Sequence, residues 1–196
     1  MTGPGGTAGL ILAAGESRRM GRPKALLRFR EETFLDTLVG LFERVCSPVI
    51  VVLGAAADEI ETHARRPAIF VRNEIYMRGQ TSSMQCGLGV VPPEAAGVLF
   101  TLVDHPAVSA ATVGRLLSPA GAARLRVPRY RGRNGHPIWF SRALVREFLA
   151  LPEDGAARDV VRAHAAETEF LDVDDPGVAA DIDNPDDYAR LLGAPA

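Results

Sequence analysis

The chain has 196 residues, 47% hydrophobic and 23% charged, which are the proportions of a folded globular protein and a length that fits one domain, 1–196. Its 22 Lys and Arg against 24 Asp and Glu leave a net charge of −2, so there is no global electrostatic case for a nucleic-acid partner, and any bound anion must be held by a local patch. Cys46 and Cys86 form neither a CxxC pair nor a disulfide framework and are expected to be buried thiols of a reducing compartment. The first apolar run has no Lys or Arg before it, and no stretch reaches membrane-spanning length, which gives the expectation of a cytoplasmic protein with no membrane partner.

Residues 8–14 form a continuous apolar run ended by Gly15, which reads as a strand buried on both faces. Phe34, Leu35, Leu38, Val39, Phe42 and Val45 recur at helical spacing, and Pro48 stops that helix before a second buried run over 49–53. The alternation continues with a strand over 68–71, a helix over 81–91 and the strongest strand over 97–103. Apolar strands alternating with helices predict βαβ units in a Rossmann-like three-layer α/β/α fold with a mainly parallel sheet. After Pro119 the texture changes. Residues 124–130 and 136–140 flank a turn-rich 131–135, which predicts a hairpin or crossed pair of strands and a mixed C-terminal part. Ser141 is expected to cap a helix carrying Leu144, Val145, Phe148 and Leu149, and Asn184-Pro185 to start a last helix through Tyr188, Leu191 and Leu192. The Gly-rich first six residues read as frayed.

The most informative segment is 12–24, Leu-Ala-Ala-Gly-Glu-Ser-Arg-Arg-Met-Gly-Arg-Pro-Lys, a glycine-bounded basic loop directly after the first buried strand. In a doubly wound sheet ligands collect beyond the carboxyl ends of the strands, where small residues let backbone N–H groups approach phosphate oxygens and Arg and Lys add charge. Between Glu16 and Arg30 stand six basic residues and one acid, a local +5 that leaves −7 for the rest of the chain. The loop lacks the Walker A spacing, and no GxGxxG opens the following helix, so neither a P-loop ATPase nor a dinucleotide enzyme fits.

The pattern LAAGxSxRMGxxK resembles the nucleotide-binding loop of the MobA-like nucleotidyltransferases, in particular the molybdenum cofactor cytidylyltransferases. The resemblance implies that Leu12, Ala13, Ala14 and Gly15 pack around base and ribose while Arg19 and Lys24 hold the triphosphate. Residues 73–88 resemble the family's NxxxxxGxxSS segment, which adds Asn73, Gly79, Thr81, Ser82 and Ser83 to the nucleotide site. The three hydroxyls also suit a helix start, where they either meet a polar base edge or phosphate or simply cap the helix. Asp104-His-Pro106, ending the strongest strand, resembles the family's Asp-x-Pro element. A carboxylate at the mouth of a parallel sheet is costly to bury unless paired or bound to a cation, and Mg2+ suits it. Asp181-Ile-Asp-Asn-Pro185 resembles the DIDTP segment with Asn184 in place of Thr, and the second metal-ligand role goes to Asp183 in preference to Asp181. Gly135-His-Pro137 resembles the GHP element that places the acceptor, which singles out His136. Residues 155–158 depart from the family's GD-x-GAR spacing, which makes Arg158 the weaker acceptor match. Trp139, Cys46, Cys86, His63 and His164 carry no motif and read as packing or surface residues.

By this resemblance the chain is a Mg2+-dependent nucleotidyltransferase that moves CMP from CTP onto the molybdenum cofactor and releases pyrophosphate, with Arg19, Lys24 and Asp104 as catalytic groups. Residues 8–118 form the nucleotide-binding half and 119–196 the acceptor-binding half. The guanine-using branch carries a second glycine at the position of Ala14, which favours CTP over GTP. An acceptor phosphate already carries an anionic nucleophile, so no general base is required. Two other readings stay open: an NTP transferase using GTP or another phosphate acceptor (a sugar, an isoprenoid or a cofactor precursor), and a non-catalytic molybdenum cofactor chaperone. The expected partners are CTP, the molybdenum cofactor and, transiently, a xanthine dehydrogenase-type molybdoenzyme.

Overall fold

The computed structural model describes residues 6–118 and 123–193; most of the Gly-rich start, and Pro119 where the texture changes, lie outside the described residues. In chain order the strands are β1 (Thr7–Ala13), β2 (Arg28–Phe29), β3 (Glu32–Thr33), β4 (Val49–Leu53), β5 (Ile69–Arg72), β6 (Gly97–Leu102), β7 (Leu125–Tyr130), β8 (Arg133–Asn134), β9 (Ile138–Ser141) and β10 (Thr168–Asp172). The α-helices are α1 (Phe34–Phe42), α2 (Ala57–His63), α3 (Gln80–Leu88), α4 (Ala110–Leu117), α5 (Arg142–Leu149), α6 (Ala157–Ala163) and α7 (Pro185–Gly193).

One sheet runs in the order β10-β7-β9-β6-β1-β4-β5, with β8 extending a hairpin from β7, and β2 pairs with β3 apart from it. β1 pairs parallel with β4 and β6, β4 with β5, and β7 with β10. β9 is antiparallel to both β6 and β7, which reverses the chain once and produces the mixed C-terminal part expected from the sequence. Because successive side chains of a strand alternate between faces, an unbroken apolar run is consistent only with a sheet covered on both sides. Ile11, Ala13, Val51, Leu53 and Leu99 meet α1, α2, α4 and α7 on one face, while Leu10, Leu12, Ile50, Val52, Val98 and Phe100 meet α3, α5 and α6 on the other. Phe34, Phe42, Phe140 and Phe148 are all fully enclosed, each contributing about 1.5–3 kcal/mol by burial.

The hairpin reading of 131–135 holds. Arg131 (φ 48°) and Gly132 (φ 79°) form a two-residue left-handed turn between β7 and β8, the geometry that matches strand twist and that glycine adopts without strain. Three expectations need correction. The α1 helix stops at Phe42, so Val45 falls in the following turn and is 36% exposed. Ser141 precedes α5 but its side chain makes no capping hydrogen bond: it is paired in the sheet opposite Gly97, and its enclosed hydroxyl has no partner among the described residues. Cys46 is buried, with its thiol pushed up to about 12 by desolvation, whereas Cys86 is only half-buried. Among the described residues no helix is long and apolar enough to cross a membrane.

Candidate active site

The carboxyl ends of β1 and β6 open onto a cavity of about 490 Å3, a volume in the range of small-molecule sites. Leu12, Ala13, Ala14 and Gly15 form one wall, Gly79 and Ser83 at the start of α3 another, and Arg19, Lys24, Asp104 and Asp183 line the same space. The basic loop is folded by two short 3-10 turns, Arg18–Met20 and Lys24–Leu26. Ser17 starts the first in the left-handed region (φ 52°), and its hydroxyl accepts the Lys24 backbone N–H at 2.9 Å, closing the loop on itself. A non-glycine residue held there costs about 1 kcal/mol or more, a strain characteristic of functional loops.

The closed loop delivers Lys24 to two carboxylates that lie far apart in the chain. Its ammonium donates to Asp183 Oδ1 at 2.7 Å and to Asp104 Oδ2 at 3.2 Å, and Arg19 Nη2 stands 3.8 Å from Asp183 Oδ2. Lys24 and Asp104 side chains are 14% and 17% exposed, whereas Arg19, at 70%, belongs to the rim. The Lys24 hydrogen bond holds the Asp183 carboxyl below the usual carboxylate range. Asp183 is set in place by the start of α7: Asn184 Oδ1 accepts the N–H groups of Asp186 and Asp187, while Asp187 Oδ2 accepts those of Asp183 and Asn184. Thus Asn184 supplies the cap expected of it. Among the described residues Asp104 Oδ1 has no hydrogen-bond partner. Asp104 Oδ2 and Asp183 Oδ1, which meet at the Lys24 ammonium, are a hard-oxygen pair whose chemistry fits a divalent cation such as Mg2+, whose remaining positions would be filled by phosphate and water.

Other residues singled out by sequence lie behind or beside the cavity. Asn73 is buried, donating from Nδ2 to the Ser82 and Ser83 hydroxyls at 3.0 Å each. The N-cap of α3 is Gly79, without a side-chain cap, so neither Thr81, Ser82 nor Ser83 performs the capping role. Thr81 turns away, its hydroxyl donating to the Gly155 carbonyl at 2.6 Å. His136 does not line the cavity. Its ring lies 5.6 Å from Phe100 and 4.9 Å from the His105 ring, and burial, with His105 adding to it, pushes its pKa down to about 3. The backbone before it is locked: His136 N donates to the Val178 carbonyl, and a Cβ on Gly135 would meet that carbonyl oxygen at 2.0 Å. Arg158, in the first turn of α6, is exposed and outside the cavity.

Sequence reasoning missed Ser17, Tyr76 and Gln80, which line the cavity, and His105, which backs it with Nε2 3.7 Å from Asp104 Oδ1. Ser17, Tyr76, Gln80 and His105 all stood inside quoted motifs, but at positions with no assigned role.

A doubly wound sheet with an arginine- and lysine-bearing loop at its first crossover, closed against two carboxylates, defines a nucleoside-triphosphate-handling enzyme of the nucleotidyltransferase class. The chain belongs to the MobA-like NTP transferase domain family, which it matches over residues 9–168. It is 34% identical over 197 aligned positions to nicotine blue oxidoreductase of Paenarthrobacter nicotinovorans, covering 94% of this chain and 95% of that one. It is 26% identical to the molybdenum cofactor cytidylyltransferase of Escherichia coli K12, over 91% and 92% of the two chains. The crystal structure of Rv0371c from Mycobacterium tuberculosis H37Rv superposes with a TM-score of 0.87 at 32% identity, over 97% of this chain and all of that one. A complex of Rv0371c with manganese aligns at 29% identity with a TM-score of 0.76, again over 97% of this chain and all of that one.

Proposed function

We propose that this nucleotidyltransferase transfers CMP from CTP to the molybdenum cofactor, releasing pyrophosphate. The observation that carries the reading is the convergence of Lys24, Asp104 and Asp183 at the cavity that the Leu12–Gly15 wall encloses. In this reading residues 8–118 bind the nucleotide and 119–196 the acceptor. Ala13 and Ala14 lie against base and ribose, the uncapped first turn of α3 offers N–H groups to an anion, and Arg19 and Lys24 take charge from the triphosphate. The acceptor phosphate attacks the α-phosphorus in line, and the site's work is to hold two polyanions together while neutralising the leaving pyrophosphate. Asp104 and Asp183 would hold Mg2+, which when bound supplies positive charge to phosphate oxygens. Asn73 acts through Ser82 and Ser83, and His136, neutral and half-buried, supports the acceptor side from behind, with Arg158 at its rim.

The test is pyrophosphate release from CTP, GTP and ATP with Mg2+, with and without molybdenum cofactor, alongside sugar and isoprenoid phosphates. Cofactor-dependent release with CTP ahead of GTP is expected. Preference for GTP or for another acceptor would replace the substrates, and cofactor binding without release would make the protein a carrier. Because one relative is named an oxidoreductase, a parallel assay for oxidation of reduced nicotinamide cofactors is included. Redox turnover without pyrophosphate release would overturn the proposal.

A further inference from the structure

The loop after β1 places a fixed positive charge where two carboxylates would otherwise take a cation. Lys24 bridges Asp183 at 2.7 Å and Asp104 at 3.2 Å, and its own carboxylate partners come from the end of β6 and the approach to α7. The ammonium is not a wandering surface group. Lys24 is 14% exposed at its side chain, its N–H is held by Ser17 Oγ, and its carbonyl accepts from Leu27 N at 3.0 Å. Arg19, by contrast, reaches only one of the aspartates and is mostly in solvent. An ammonium in contact with both carboxylates and a divalent cation in contact with both cannot occupy the same few ångströms, because like charges at that separation in a half-buried site repel strongly.

We propose that Lys24 is a built-in counter-cation that competes with the divalent ion for Asp104 and Asp183, so that the free ion binds weakly until a nucleoside triphosphate draws the ammonium onto its phosphates. This rests on the reading of the two aspartates as the cation ligands and extends it to an order of binding, in which triphosphate and divalent ion arrive together or triphosphate arrives first. The lysine thus has two stations. At the first it keeps the carboxylates paired and correctly spaced in the empty site; at the second it balances the triphosphate. Linkage makes the consequence reciprocal: if the triphosphate removes the competitor, it tightens the divalent ion, and the divalent ion tightens the triphosphate by the same factor.

The test uses the full chain and Mn2+ alone, read by the loss of the free-ion paramagnetic resonance signal, in wild type, Lys24→Gln, Lys24→Arg and the double variant Lys24→Gln with Asp104→Asn. A charge this close changes a carboxylate's affinity for a cation by roughly ten- to a thousand-fold, so Lys24→Gln should bind Mn2+ at least about tenfold more tightly than wild type. Lys24→Arg should stay weak. Adding a non-reacting CTP analogue should tighten Mn2+ markedly in wild type and much less in Lys24→Gln; this second comparison holds even if one variant is less stable. Unchanged or weaker Mn2+ binding by folded Lys24→Gln overturns the competition. If the double variant binds Mn2+ as well as Lys24→Gln does, it is instead the assignment of Asp104 as a ligand that fails.

Discussion

Asp175 fastens the segment that leads on to Asp183, and removing it has a cost that can be worked out. One carboxylate oxygen accepts from Ser109 N at 2.9 Å and from Thr112 Oγ1 at 2.6 Å, and the other from Gly177 N at 3.0 Å; the residue is 8% exposed. These bonds fasten the chain leaving β10 to the first turn of α4, and the same chain goes on to Asp183. Hydrogen bonds to a charged group contribute about 1.5–3 kcal/mol each, and buried donors left unpaired cost about 1–3 kcal/mol, offset in part because alanine carries no buried charge to desolvate. Asp175→Ala should therefore lose about 3 kcal/mol, which at this chain length lowers Tm by roughly 6–12 °C. Asp175→Asn keeps one acceptor oxygen but turns an amide toward one of the donors, and should lose about half as much. Urea unfolding followed by circular dichroism measures both, and the apparent KM for Mg2+ should rise in parallel as Asp183 drifts from Asp104. A loss below about 1 kcal/mol for Asp175→Ala would refute the reasoning, since the segment would then be held by something other than these three bonds.

Gly135→Ala puts a Cβ against the Val178 carbonyl oxygen and should cost about 1–3 kcal/mol as an overpacked contact; KM for the acceptor should rise while KM for CTP holds, and equal rises would contradict the acceptor-side placement. Thr81→Val deletes the hydrogen bond to Gly155 at nearly constant volume, with an expected loss of about 1 kcal/mol and a steady-state defect in acceptor KM rather than CTP KM. His164, when protonated, donates from Nε2 to Glu147 Oε2 at 2.6 Å and from Nδ1 to Glu167 Oε1 at 3.0 Å, and these hydrogen bonds raise its pKa above the ordinary 6.5. A raised folded-state pKa stabilises fully below the unfolded value and loses that contribution as pH rises through the folded value. The stability gap between wild type and His164→Gln should accordingly be widest below the ordinary value of 6.5 and shrink as pH rises above it; a gap that widens with pH would contradict the assignment.

The central sheet was legible because its strands are apolar on both faces, and β4 begins and ends where the run 49–53 does. Of the elements that the sequence reading passed over, α2 encloses only Ile60, α6 only Val160 and β10 is a half-exposed edge strand, whereas α4 buries Thr112, Val113 and Leu116 and was legible from its spacing. The basic loop and both aspartates could be read from motif spacing. What spacing could not supply is contact between them, since the ion pairs of Lys24 span 80 and 159 positions of the chain. Nor could it separate groups that line the cavity from those that support it. Asn73, Thr81 and His136 belong to quoted motifs, yet the fold turns their side chains into the protein, toward Ser82 and Ser83, toward Gly155 and toward His105.

The most direct measurement is the anomalous scattering of Mn2+ in crystals of the protein with a non-reacting CTP analogue. A manganese peak is expected within ligand distance of both Asp104 and Asp183, with phosphate oxygens on its open side and Lys24 Nζ moved from the carboxylates to the triphosphate. A manganese peak elsewhere, or a triphosphate bound with Lys24 still bridging the two aspartates, would contradict the proposal.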